Sequence, residues 1–175
     1  MVLVSFVSQM LAILTIIGQI IVVVLLISLL TNRQNIILFF GKHAILFSFI
    51  VSFITTLGSL FYSEIAGYEP CKLCWFQRIL MYPQVILFGI ALWKNDKKIS
   101  DYIIGLSGIG ALIAGYHYLL QLGIAPSLSC SAVGYSLSCS KIFVMTLGYI
   151  TIPLMSFTAF MLILLLQIMQ KKMEK

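Results

Sequence analysis

Charge is what this sequence has least of. Only 9% of its 175 residues are Asp, Glu, Lys or Arg, and no more than 5 are acidic. Water-soluble domains carry about 25% charged residues, so a soluble fold is excluded. The 11 Lys and Arg are scattered along the chain, without the dense basic cluster that a nucleic-acid interface needs. Cysteine is missing everywhere except in two short segments, 71–74 and 130–139. The first apolar run lacks a basic n-region and a small-residue cleavage pattern, and it is about twice the usual length of a signal-peptide core, so it is expected to stay and span. What the chain has in abundance is hydrocarbon: 61% hydrophobic residues and a mean hydropathy of +1.10. Lipid is its solvent.

A spanning helix takes about 20 mostly apolar residues, and five such stretches are present, at roughly 3–31, 44–62, 74–93, 102–121 and 143–169. Arg33, Lys42, Lys94, Lys97, Lys98, Lys171, Lys172 and Lys175 collect at one face of the membrane, whereas only Lys72, Arg78 and Lys141 fall at the other. Because basic loops stay cytoplasmic, this predicts an outside N-terminus, an inside C-terminus and both cysteine-bearing loops outside. Ser107, Ala111 and Gly115 recur every four residues on the fourth span, which predicts close helix packing. Pro83 and Pro153 fall inside predicted spans, where each should bend its helix.

The cysteines form two pairs, Cys71 with Cys74 and Cys130 with Cys139, an arrangement suited to an oxidising face. Static disulfides bracing the outer loops are one reading. A four-cysteine zinc site is a second, although the eight residues between Cys130 and Cys139 depart from zinc-knuckle spacing. A c-type haem site is excluded because Trp75 follows Cys74 where a histidine is required. The third reading is a redox relay. A two-residue spacer after Pro70 places Cys74 in the first turn of a helix, where the partial positive charge of the N-terminus favours a thiolate. Arg78 follows one turn deeper on the same face. A lone Arg near a span end ordinarily snorkels to the interface, but beside a cysteine pair it becomes a candidate for holding an anion or a polar cofactor group. His117, about one turn from the outer end of the fourth span, reads most simply as a bundle histidine bonded to a neighbour.

Pro70-Cys71-Lys72-Leu73-Cys74-Trp75-Phe76-Gln77-Arg78, followed by Met81-Tyr82-Pro83, His117 through Gln121, the second cysteine pair and Gly148 through Pro153, resembles the quinone-linked disulfide-bond formation proteins, the DsbB family, and within it the BdbC-type branch. The related vitamin K epoxide reductase type has its Cys-x-x-Cys after the loop pair, whereas here it comes first. The resemblance implies a four-helix transmembrane bundle over residues 44–170; with the spans and basic residues above, the chain is expected to be an all-α integral membrane protein with one extra N-terminal transmembrane helix and basic loop in 1–43 and a cytoplasmic tail at 171–175. Two departures stand out. The family core lacks the added N-terminal span, and the Cys130–Cys139 spacing is shorter than in the enteric branch.

By the same resemblance, the protein resides in a prokaryotic cytoplasmic membrane, reoxidises a thioredoxin-like extracytoplasmic thiol oxidase and passes electrons to ubiquinone or menaquinone. Cys130 is then expected to take the mixed disulfide with the partner, Cys139 to hand reducing equivalents to Cys71, and Cys74 to face the quinone. Arg78 and His117 are the expected quinone-binding residues, and no metal is expected. The rival is a non-catalytic membrane subunit with two structural disulfides.

Overall fold

A computed structural model describes residues 2–96, 98–125 and 139–173. Six α-helices make up most of it: α1 (Val2–Leu30), α2 (Gln34–Lys42), α3 (Ala44–Leu60), α4 (Lys72–Lys94), α5 (Ser100–Gln121) and α6 (Ile152–Met173). A single π turn, Phe61–Ile65, extends α3, so five helices are long and apolar enough to cross a membrane. The protein is a multi-pass all-α membrane bundle.

The helix ends have local causes. Asn32 and Asn95 both take the left-handed conformation with φ 52°. Each is followed by a backbone bond reaching back five residues, Arg33 N–H to Ser28 C=O at 3.1 Å and Asp96 N–H to Ala91 C=O at 3.0 Å, which is the closure that ends a helix while satisfying its last carbonyls. The stretch expected to be a basic loop after α1 is instead helical: α2 turns its Ile37 inward against the Leu165 and Met169 region of α6 and leaves Leu38 and Phe39 exposed. Its apolar residues repeat at helical spacing over nine residues, which is too short to register as a span.

The expected fifth span also needs correction. It begins at Ile152, not near 143. The apolar residues 142–145 lead into a tight turn in which Leu147 and Gly148 have φ 55° and 80°. Thr146 and Ile150 exchange backbone hydrogen bonds across that turn, a geometry no helix can contain. Pro153 consequently falls in the first turn of α6, where its missing N–H has no intrahelical partner to lose, so it bends nothing. Pro83 lies in the interior of α4.

α6 is the central post. Its Ala159, Phe160 and Ile163 pack with Met81 and Phe88 of α4 and Ile103, Ala111 and Ala114 of α5, while its Leu162, Leu165, Leu166 and Met169 meet Leu25, Ile37 and Ala44 of α1, α2 and α3. In lipid the hydrophobic effect does not drive helices together, so close approach at small residues has to do it. Gly110 shows how close: a Cβ placed there would lie 2.4 Å from the buried Phe160 ring. The Ser107, Ala111, Gly115 stripe of α5 packs inward as expected, with Ser107 Oγ donating to Gln84 Oε1 on α4 at 3.2 Å. At the opposite end from the cysteines, Lys171 pairs with Asp101, tying the end of α6 to the start of α5.

Candidate redox site

The site is assembled where α4 begins. Cys71 is the N-cap, with extended backbone at φ −71° and ψ 172°, and its carbonyl accepts from the Trp75 N–H at 3.1 Å. Lys72, Leu73 and Cys74 complete the first turn, so Cys74 stands at the helix mouth as the sequence predicts. The two sulfurs are free thiols 3.3 Å apart, the Cys71 S–H directed at Cys74 Sγ. Donating that hydrogen bond stabilises the neutral thiol of Cys71, and burial adds to the effect. Together they push its pKa up to about 12, against a smaller opposing pull from His117.

His117 joins the cysteines from α5. It is 2% exposed. Its Nε2 lies 3.0 Å from the Cys139 carbonyl oxygen and 3.7 Å from Cys71 Sγ. A carbonyl only accepts, so Nε2 must carry the hydrogen. Nδ1 in turn accepts from the Gln77 side-chain amide at 3.0 Å, which fixes both ring and tautomer. Cys139 is itself 2% exposed and packs with Cys71 and Leu120. The sulfurs of Cys71 and Cys74 and a ring nitrogen of His117 lie within 4.8 Å of one another, a spacing at which a soft cation is held. The Nε2 lone pair is not presented to it, however, because Nε2 is the donor to Cys139.

On the other side of Cys74, among α1, α3, α4 and α6, lies a largely apolar cavity of about 300 Å³. Arg78 is its cationic wall. Its Nε donates to Ser59 Oγ and its Nη2 to the Ser59 carbonyl, both at 3.0 Å. Tyr82 O–H also donates to Ser59 Oγ at 3.1 Å, and the guanidinium carbon sits 5.5 Å from the centre of the Trp75 ring. An aromatic stack lines the end nearest the loops, with Tyr68 against Phe143 at 5.1 Å and against Tyr62 at 6.0 Å. Cys74 also lines a small crevice on its far side, together with Cys71, His117 and Cys139. Cys74 therefore lines both spaces.

The structure thus gathers Cys71, Cys74, His117 and Cys139 on one side and places Arg78 across Cys74, in the cavity. His117, expected beside Arg78, faces the cysteines and does not line the cavity. Cys130 lies outside the described residues. Sequence reasoning missed Ser59, Gln77 and Tyr82, although each is a polar group inside a span, where such residues ordinarily signal function. The π turn that begins two residues after Ser59 is a second such signal, since these bulges are frequent at functional sites.

Comparison with known proteins shows the family of the chain. The family described as Disulfide bond formation protein DsbB matches residues 41–170. The SPbeta prophage-derived disulfide bond formation protein B of Bacillus subtilis (strain 168) is 48% identical over 122 residues, 70% of this chain and 81% of its own length. Disulfide bond formation protein C of the same organism is 40% identical over 138 residues, covering 74% of this chain and 96% of that protein. The probable disulfide formation protein C of Bacillus cereus is 43% identical over 122 residues, 70% of this chain and 87% of its own. No solved structure matches. With two cysteines at a helix mouth, a third buried against them and a family match across the four-helix core, this chain belongs to the DsbB family of membrane disulfide oxidoreductases.

Proposed function

We propose that the protein reoxidises a thioredoxin-like dithiol oxidase outside a prokaryotic cytoplasmic membrane and discharges the electrons to a membrane quinone. The observation that carries this reading is the position of Cys74, a residue that lines both the crevice with Cys71 and Cys139 and the cavity with Arg78. A static brace has no use for an apolar cavity with a cationic wall beside one of its sulfurs.

The exchange balances as follows. A partner thiolate attacks the Cys130–Cys139 disulfide at Cys130, releasing Cys139 as a thiolate. The second partner thiol then resolves the mixed disulfide, leaving the partner oxidised and Cys130 and Cys139 reduced. Cys139 attacks Cys71 of the Cys71–Cys74 disulfide, Cys130 resolves that link by re-forming the Cys130–Cys139 disulfide, and Cys71 and Cys74 are left as a dithiol. Each step depends on which sulfur is reachable. Cys139 is buried and held beside Cys71, its carbonyl fixed by His117, which leaves Cys130 to meet a soluble protein. His117 acts on this exchange: its Nε2–H can turn from the Cys139 carbonyl to Cys71 Sγ when that sulfur carries charge.

Returning Cys71 and Cys74 to the disulfide releases two electrons and two protons. A bound quinone supplies an acceptor for both. The cavity fits one: it offers hydrocarbon walls for a ring and tail and, beside Cys74, a guanidinium with two of its five N–H groups committed to Ser59. Arg78 would hold a ring oxygen.

The purified protein, given a reduced thioredoxin-like partner, should reduce ubiquinone or menaquinone. A partner whose second cysteine is replaced by Ser should accumulate as an adduct on Cys130 of the oxidised protein, visible on a non-reducing gel, while Cys74→Ala should oxidise one equivalent of partner and stop. Continued quinone reduction by Cys74→Ala, or a partner adduct on Cys71, would sink the relay. After mild reduction, an impermeant thiol reagent on intact cells should reach Cys130, and labelling only after lysis would reverse the orientation.

A further inference from the structure

We infer that α1 forms one wall of the quinone site and takes the prenyl tail, making it a specificity-determining element that this chain adds to the family core. The inference rests on the quinone reading above. Leu11, Leu14, Thr15, Ile17, Gly18 and Ile21 of α1 all line the cavity beside Cys74 and Arg78. Every one of them precedes residue 41, where the family match begins.

α1 closes the cavity at both edges. On the α3 side, the Leu11 side chain would stand 3.2 Å from a Cβ built on Gly58; on the α6 side, a Cβ on Gly18 would stand 3.1 Å from Thr158 and 3.2 Å from Leu162. These are close helix contacts of the kind small residues permit in lipid. A buried hydrogen bond from Tyr62 O–H to Ser8 Oγ, 3.2 Å long, fixes the helix to the π turn above the cavity.

The chemistry of the wall assigns the part of the ligand it meets. Its one hydroxyl, on Thr15, is spent on the Leu11 carbonyl of its own helix at 2.7 Å, so α1 offers only hydrocarbon. Arg78, Ser59 and Tyr82, the hydrogen-bonded polar cluster in the cavity wall, stand on α3 and α4. A prenylated quinone is polar at its ring oxygens and apolar along its tail. Its oxygen therefore belongs at Arg78 and its tail along α1.

The test uses the full-length protein and two readouts. A prenylquinone carrying a photoreactive group on its tail should, on illumination, label peptides containing residues 11–21. Leu14→Trp and Ile17→Trp should raise KM at least fivefold for a prenylated quinone and less than twofold for a tail-less one. Ile13→Trp and Ile20→Trp, at positions of the same helix that do not line the cavity, should change neither, which separates a filled cavity from a misassembled helix. Label confined to α3, α4 and α6 while quinone is still turned over would overturn the wall alone. Equal effects on both quinones would overturn the tail assignment. A wild-type protein that neither reduces nor is labelled by any quinone would remove the quinone reading and the inference together.

Discussion

Arg78 is the residue on which the quinone proposal is most exposed to test. Its guanidinium is aimed by Ser59 through two bonds, one to the hydroxyl and one to the carbonyl, so the three remaining N–H groups are positioned without help from a ligand. A hydrogen bond to a charged group contributes about 1.5–3 kcal/mol, and each 1.4 kcal/mol is about tenfold in affinity, so Arg78→Met should raise the quinone KM roughly 10- to 150-fold. Arg78 is only partly buried, and solvent screening favours the lower end of that range. Arg78→Lys should recover part of the loss, since it restores the charge but not the planar fork. Ser59→Ala keeps the charge and the carbonyl anchor and loses one ordinary hydrogen bond, about 0.5–1.5 kcal/mol, hence roughly 2- to 12-fold. The assay is quinone absorbance at varied quinone concentration, paired with a single-turnover measurement of partner oxidation by the fully oxidised enzyme, which none of the three variants should slow. A Met variant within twofold of wild type in quinone KM, or a Ser59→Ala defect as large as that of Arg78→Met, would refute the reasoning and return Arg78 to anchoring the helix at the interface.

Other consequences follow from particular contacts. Because Cys71 is pushed up to about 12 chiefly by its bond to Cys74, its thiolate is scarce at pH 7–9; in the reduced protein its alkylation should keep climbing with pH beyond the point where an ordinary thiol levels off. Cys74→Ala removes the largest cause, so the Cys71 alkylation curve should move to lower pH, and an unmoved curve would contradict the assignment. His117→Ala should slow electron passage from the Cys130–Cys139 pair to the Cys71–Cys74 pair about tenfold, on the order of one lost hydrogen bond. It should leave the quinone KM in place, and a raised KM would put His117 back in the quinone pocket. Gly110→Ala drives a methyl into the buried Phe160 ring and should cost about 1–3 kcal/mol, read as lost thermal stability in detergent; a companion Phe160→Leu should restore most of it.

The spans were legible because the bilayer leaves few alternatives: about 20 apolar residues in a row have to be helical when no water satisfies the backbone. Cys74 at the helix mouth was legible too, since Pro70 and the two-residue spacer are local signals. The parts that were not legible depend on tertiary contact or on short turns inside apolar sequence. Residues 142–145 are as hydrophobic as a span, and what stops the helix there is Leu147 and Gly148 turning left-handed. α2 is amphipathic over only nine residues and was hidden between two spans. His117 was placed at the right depth, but its direction is set by Gln77 and the Cys139 carbonyl, one across a helix interface and the other 22 residues away. That α1 covers the cavity depends on Gly18 and Gly58 meeting side chains of other helices, and no periodicity within α1 encodes that.

The geometry also bears on why four cysteines would serve better than two. A single exposed pair able to meet both a soluble thiol and a quinone would be open to any passing thiol, and its electrons would leave by whichever partner arrived first. Here Cys71 and Cys139 are almost fully buried, at 4% and 2% exposure, and Cys74 is walled by the cavity on one side and the crevice on the other. In the proposed relay only Cys130 meets soluble protein and only Cys74 meets the membrane acceptor, so the direction of flow is set by access as well as by reduction potential. His117 stands at the joint between the halves, bonded to the backbone of the inbound cysteine and in reach of the sulfur it attacks. A relay built this way requires the two cysteine segments to stay in register. That requirement gives a physical reason for the buried Gln77–His117–Cys139 chain: it ties α4, α5 and the loop before α6 into one rigid unit around the sulfurs.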